Sequence, residues 1–328
     1  MIQHLKIRNY KSVRELDLPC KRFNVFIGDT STGKSNILEA LTLHSQGAMD
    51  GPGHGFNKQI IRYERLNELF TNADVNQSMI VEAGEAKLMV AFEPNLNAYV
   101  FAFQDYKDKR ATFNFKASGE KVDGPIVGEN LDTIIRRYQY DPAVVFGHHW
   151  FPHLAPPSGQ NFSSVLMNNA ELLGEIDEIM SAKDIHISID RDSFKITQRI
   201  DIAKNVAVHL SWGTISETIR RYVFLYAAIR SNTNAVLLLD EPEQSTYPFY
   251  TAHIAEIMAR ETSNQYFITT HNPYILNALV DKAPADELQV LGTYRKNGFT
   301  AVRALDREEI TELMEYDPFL NIDRIVNP

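Results

Sequence analysis

One cysteine, Cys20, stands among 328 residues, so the chain can form no internal disulfide and no cysteine zinc site. No apolar run nears the ~18 residues of a membrane span. The longest, such as Ala235 to Leu239, are far shorter. The first residues interleave charge with Leu5 and Ile7 and lack the apolar stretch of a signal peptide, which leads us to expect a cytoplasmic protein. Excess positive charge is missing too. Lys and Arg total 33 against 42 Asp and Glu, a net charge of −9. That balance signals no general affinity for nucleic acid or an anionic membrane, although a local basic patch can still bind phosphate. Repeats, low-complexity tracts and heptad arrays are absent. What remains, 44% hydrophobic and 23% charged residues, is an ordinary globular composition. The length suits about two domains.

Leu5 and Ile7 alternate with Lys6 and Arg8 as in a half-buried strand, and residues 23–27 read as a buried one. Residues 36–46 have helical spacing. Four short β-type runs between 79 and 116 predict an antiparallel meander. Prolines 142, 152, 156 and 157 mark a lobe boundary near residue 150. Residues 161–183 look helical, and short strands are expected near 185–197 and 205–210. The last third alternates: helix 214–230, strand 235–239, helix 247–260, strand 265–269, helix 273–280. Strands alternating with helices imply a parallel sheet. Asn297-Gly298 predicts a hairpin. The expected fold is α/β, a P-loop core with an antiparallel β subdomain and a small helical lobe. Residues 1–150 and 205–328 would form the core, and 151–204 the lobe.

Gly28-Asp29-Thr30-Ser31-Thr32-Gly33-Lys34-Ser35 fits G-x-x-x-x-G-K-[ST] between a buried strand and a helix. Backbone N–H groups of such a loop cradle phosphate at the helix N-terminus. Lys34 would reach the β- and γ-phosphates, and Ser35 would ligate Mg²⁺. A Gly/Ser/Thr turn with an exposed lysine is the bland alternative, and the flanks count against it. Farther on, the apolar strand 235–239 delivers Asp240-Glu241-Pro242-Glu243 at its C-terminal end, where α/β sheets bind ligands. Asp240 would hold the metal and Glu241 would polarise the attacking water. Without the phosphate loop, a solvated acidic cap would be the simpler reading of these acids.

Leu210-Ser211-Trp212-Gly213 resembles the L-S-x-G signature of ABC-type ATPases. It lies 29 residues before Asp240, and His271 follows Asp240 by 31. Ile7-Arg8-Asn9-Tyr10-Lys11-Ser12, Asp240-Glu241-Pro242-Glu243 and the run from Phe267 to Leu276 are similar to motifs of the soluble ABC branch holding RecF, SMC-like and OLD-type ATPases. This resemblance implies ATP and Mg²⁺ as cofactors and a head-to-tail, ATP-dependent homodimer, with higher oligomers allowed. Ser211 and Gly213 would face the γ-phosphate bound to the other copy's Lys34. His271 would sense that phosphate, and Lys11 and Asn36 would lie near the nucleotide. Taken singly, the signature reads as an ordinary helix cap and His271 as a structural histidine. Order and spacing lift both.

The sequence departs from the family pattern in three places. Thr30 and Ser31 replace the usual Asn and Gly, and Ser31 serves only if its backbone does not require positive φ. Thr246-Tyr247-Pro248 lacks the usual histidine. No Q-loop glutamine stands out, and residues 144–149, at about the right place, carry histidines instead. His148, His149 and His153 lack a clear fourth ligand for a metal. Between phosphate loop and signature the segment 36–210 is too short and too rich in strands and prolines for SMC-type coiled coils, and with 57 residues after His271 no Toprim domain is expected. The expectation is therefore a slow ATPase acting as a switch for a separate effector, in phage defence by analogy with small OLD-like ATPases. Two other readings stand beside it: a RecF-like DNA-binding repair ATPase and a non-hydrolysing nucleotide-binding scaffold.

Overall fold

The computed structural model describes residues 1–49, 56–58, 60–122, 127–128, 131–147, 151–204 and 206–315. The chain opens with β1 (His4–Tyr10), β2 (Val13–Pro19) and β3 (Phe23–Ile27), then α1 (Lys34–Met49). The meander follows as β4 (Met79–Ala83), β5 (Ala86–Glu93), β6 (Ala98–Gln104), β7 (Arg110–Phe115) and β8 (Val127–Gly128). Next come β9 (Ile135–Tyr138), α2 (Phe162–Asn168), α3 (Ala170–Ser181), β10 (His186–Ile189), β11 (Ile196–Ala203) and β12 (Val206–Ser211). The alternating third comprises α4 (Glu217–Arg230), β13 (Val236–Asp240), α5 (Pro248–Arg260), β14 (Gln265–Thr269) and α6 (Pro273–Lys282). The hairpin β15 (Leu288–Lys296) and β16 (Phe299–Ala304) and the helix α7 (Arg307–Glu315) complete it.

Among the described residues three sheets form. One is antiparallel, in the order β2-β1-β4-β5-β6-β7-β8. A second, β16-β15-β3-β14-β13-β9, is parallel apart from β16. The third, β10-β11-β12, is small and antiparallel. The continuous apolar runs of β3, β13 and β14 follow from burial on both faces of the parallel sheet. Val236, Leu238 and Phe267 point to one core, shared with α1 and the antiparallel sheet. Leu237, Leu239 and Ile268 point to the other, shared with α2 to α6. Sandwiched between two sheets, α1 buries Ile37, Leu38, Ala40, Leu41 and Leu43 around most of its circumference.

The structure differs from expectation in three segments. The helix expected over 161–183 breaks at Asn169, which is extended and whose side chain accepts the N–H of Leu172, capping α3. The strand expected over 185–197 is a hairpin, because the Asp190 carboxylate takes the N–H groups of Asp192 and Ser193 and turns the chain. The helix expected from 214 starts at Glu217. Trp212–Thr214 instead form a 3-10 turn, and Ile215 is extended. The signature therefore closes β12, which pairs with β11, rather than opening α4 directly. At Asn297-Gly298 both residues have positive φ, as a tight hairpin turn requires. Before α7, Asp306 and Glu309 exchange side-chain and backbone hydrogen bonds as a reciprocal cap.

Candidate functional site

The parallel strands β3, β13 and β14 end side by side, and their C-terminal ends carry the phosphate loop, Asp240-Glu241 and Thr270-His271. The loop is shaped by contacts as much as by sequence. A Cβ on Gly28 would lie 2.1 Å from the carbonyl oxygen of Thr293, and one on Gly33 would lie 2.0 Å from Thr300 Oγ1. Both glycines also have positive φ, so no other residue fits either place. Ser31 takes a left-handed φ of 60°, the conformation that its β-carbon disfavours. Its carbonyl accepts Arg295 Nε at 3.0 Å.

Lys34 is buried and its ammonium donates to the carbonyls of Gly28 and Asp29, at 2.9 and 2.8 Å. Burial lowers its pKa to about 8, against the pull of Glu241, Asp29 and Asp240. Ser35 Oγ donates to Asp240 Oδ1 at 3.1 Å, and the Thr269 hydroxyl donates to the same oxygen. The second oxygen, Oδ2, takes Arg137 Nη2 at 2.8 Å. A hydroxyl and a carboxylate meeting beside a phosphate loop are hard oxygen donors of the kind Mg²⁺ prefers, so Ser35 and Asp240 fit that ion.

Glu241 follows in a left-handed conformation, φ 46°, held by N–H donation to the carbonyl and hydroxyl of Thr269. Such strain persists where surrounding contacts enforce it. His271 Nε2 lies 3.6 Å from Glu241 Oε1. Burial first, and the Lys34 charge second, push the imidazole pKa down, against the pull of Glu241, Asp29 and Asp240. The buried carboxylate of Glu243 accepts the Thr270 hydroxyl at 2.6 Å and the His271 N–H at 3.1 Å. The acidic box and the histidine turn are thereby joined.

A cleft of about 580 Å³ is lined by Lys11, Thr30, Ser31, Gly33, Lys34, Ser35, Asn36, Glu241 and His271. Gly28, Asp29 and Thr32 form the loop's underside, Thr32 donating to the Asp29 carbonyl at 2.9 Å. Asn36 Nδ2 donates to Ser12 Oγ, which ties α1 to the β1–β2 turn. Ser211 and Gly213 are exposed and lie outside this lining.

Several residues in or beside the cleft escape sequence reasoning. Arg62, Glu68 and Arg295 share its lining. Glu39, wholly buried on α1, pairs with Lys11 and with Arg62 Nε at 2.7 Å and accepts the Tyr10 hydroxyl. A buried carboxylate needs such partners, and these fix both cations at the cleft edge. Gln139, immediately after β9, shares a second small pocket with Asp240 and Glu241. Its place at the end of a parallel strand, next to β13, is the signal by which sequence could have singled it out. His148 and His149 lie outside the described residues. His153 is half-buried with its pKa lowered to about 4 by burial, and no three potential ligands cluster for a metal among the described residues.

Two family models match in succession: one described as an AAA ATPase domain over residues 1–143, and one described as an AAA domain, putative AbiEii toxin, Type IV TA system, over residues 143–277. The DNA replication and repair protein RecF of Clostridium kluyveri is 28% identical over 97 residues, 29% of this chain and 26% of RecF. The match thus spans about a quarter of that relative. Among solved structures, the Smc head bound to the C-terminal winged-helix domain of ScpA aligns with TM-score 0.53 at 13% identity, covering 95% of this chain and 99% of that one. An Smc head with an extended coiled coil, bound to the C-terminal domain of ScpA derived from Pyrococcus furiosus, gives 0.50 at 11% identity, covering 96% and 98%. Those two likenesses concern the fold. No helix among the described residues is long and apolar enough to cross a membrane.

Proposed function

We propose that the chain, an ABC-type P-loop ATPase of the RecF/SMC type, binds and hydrolyses ATP and uses the cycle to close and open a head-to-tail homodimer. The observation that carries this is the convergence of Lys34, Ser35, Glu241 and His271 on one cleft while Ser211 and Gly213 stand exposed outside it. A site complete but for its signature is one that a second copy finishes.

In this reading the N–H groups of the loop from Gly28 to Gly33 cradle the phosphates, and Lys34 turns from its two carbonyls to the β- and γ-phosphates. Ser35 and Asp240 would hold Mg²⁺, which would supply charge neutralisation to the phosphates when bound. Glu241 takes a proton from the attacking water, and the imidazole of His271 hydrogen-bonds the γ-phosphate. Lys11 and Arg62, held by Glu39, add positive charge at the cleft rim. Gln139, in the same small pocket as Asp240 and Glu241, would add a polar amide beside the metal carboxylate. Closing the dimer around ATP and releasing it after hydrolysis is a population shift driven by differential contacts.

The chain then acts as a switch on a separate effector. The match to a family described by a toxin of a toxin–antitoxin system supports a defence setting. The RecF match favours a second reading, a DNA-binding repair ATPase. DNA affinity falling steeply with salt would mark that reading, since it reports counterion release.

Phosphate release from ATP tests the core of the proposal. Glu241→Gln should keep ATP affinity and lose about 10²–10⁴-fold in turnover, the span of general-base effects. Turnover unchanged in that variant would remove Glu241 from the chemistry.

A further inference from the structure

Beside α1 and Arg137 lies a separate cavity of about 210 Å³. Its walls include Thr42, Ser45 and Gln46 of α1, Pro156, Pro157 and Gln160. Arg137, from β9, is the one charged residue of the lining, and no carboxylate faces it there among the described residues. The arginine is more than nine-tenths buried. Nη2 serves Asp240 at 2.8 Å and Nη1 reaches the Ile60 carbonyl at 3.4 Å, while Nε is buried without a partner among the described residues. A buried guanidinium N–H left unmade is costly and calls for an acceptor. The volume is below that of clefts for drug-sized ligands, so the occupant is small.

We propose that this cavity binds a small oxyanion of the phosphate, sulfate or carboxylate class on Arg137, and that its occupancy strengthens Mg²⁺ binding at Asp240. The second half rests on the reading of Asp240 as the metal carboxylate. The reasoning is one of shared charge. In the structure a single guanidinium supplies the positive partner of Asp240 Oδ2. An anion arriving from the cavity side takes hydrogen bonds from the same group, bidentate recognition being what guanidinium geometry favours. Asp240 is then less neutralised and attracts a divalent cation more strongly. Linkage makes the effect reciprocal, so Mg²⁺ tightens the anion by the same factor. Pro156 and Pro157 make a stiff wall, and the polar residues Gln46 and Gln160 also line the cavity.

The phosphate loop also binds anions, so the test removes its cation. Inorganic phosphate is titrated calorimetrically into the Lys34→Ala chain, with neither nucleotide nor metal present. One binding event is expected, weakened at least tenfold by adding Arg137→Met. Because that change also strips a partner from Asp240, Ser45→Leu, which fills the cavity and keeps the ion pair, is the second variant; it should weaken phosphate equally. Circular dichroism verifies that each variant is folded. Phosphate binding that is absent, or that survives both variants unchanged, overturns the site. The coupling is read separately, as the Mg²⁺ concentration giving half the thermal shift of the Lys34→Ala chain. Phosphate should lower it threefold or more, and Ser45→Leu should abolish the effect. Phosphate binding with no change in the Mg²⁺ midpoint overturns the coupling alone. A Mg²⁺ shift that Asp240→Asn leaves intact refutes the metal reading of Asp240 and the coupling with it, and leaves the anion site standing.

Discussion

Ser31 bears a cost that its neighbours impose. Its φ of 60° is one that glycine adopts freely and serine does not, and the Arg295 guanidinium on its carbonyl helps to hold the loop there. Ser31→Gly should therefore stabilise the nucleotide-free chain by about 1 kcal/mol, the lower end of left-handed strain. Denaturant unfolding at fixed slope checks this. Ser31→Val should move the other way, because a β-branched side chain tolerates positive φ least. Lys34 carries a second residue-scale consequence. With its pKa lowered to about 8, the empty site loses the lysine charge above that pH, whereas the unfolded chain keeps it to about 10.5. Between those values the unfolded state binds the extra proton, so this group's contribution makes the empty fold more stable as pH rises. Nucleotide affinity has the opposite slope. The neutral amine must regain a proton to meet phosphate, so affinity should fall up to tenfold per pH unit above 8. Lys34→Arg should flatten that slope in a fluorescent-nucleotide titration. The phosphate loop itself was legible in sequence because its spacing is local and its chemistry is carried by the backbone. The strain at Ser31 was not, since it depends on how a hairpin 264 residues away grips the loop.

Elements explain why some residues of the site stayed hidden. The alternation of the last third predicts its strands and helices within a few residues, because each buried strand is continuous and apolar and each helix has its own face. Arg137, Glu39 and Arg62 carry no local signal. Arg137 meets Asp240 across 103 residues, through the parallel pairing of β9 with β13, and its role exists only once that pair forms. Gln139 is hidden for the same reason. The signature segment does not start a helix directly, because pairing of β12 with β11 holds Ser211 in a strand. Glu243 shows an element acting on another element. One oxygen of this buried carboxylate holds Thr270 and the His271 N–H, so the turn after β14 is pinned to the box after β13. A glutamine keeps an acceptor at that place, whereas alanine leaves a buried N–H and a hydroxyl unpaired. Glu243→Ala should lower the turnover number about tenfold with ATP affinity little changed, the signature of a displaced His271 rather than lost binding. Glu243→Gln should restore most of the rate. Equal losses in both variants would point to the charge instead of the hydrogen bonds.

At the scale of the molecule, the proposed dimer would bring the signature of one copy to the cleft of the other. Lys34 and Glu241 face a common cleft, and Ser211-Gly213 sits exposed at the end of a different sheet. A loop offering N–H and hydroxyl groups suits a phosphate, and where each copy's signature meets the other's cleft the two contacts are related by a two-fold axis and close into an isologous dimer. The energy for closure then comes from ATP contacts made only in the closed state, and a ligand shifts an equilibrium by no more than that difference. Glu241→Gln removes the proton acceptor and leaves the phosphate contacts, so it should hold the closed state. Light scattering on this variant should give the monomer mass without nucleotide and twice that mass with Mg-ATP. Ser211→Arg on the same background, placing bulk and charge at the proposed contact, should return it to monomer while the isolated chain still binds nucleotide. A dimer that forms without ATP, or that tolerates Ser211→Arg, would locate the interface elsewhere on the chain. The exposed signature would then be a strand end with no phosphate to meet.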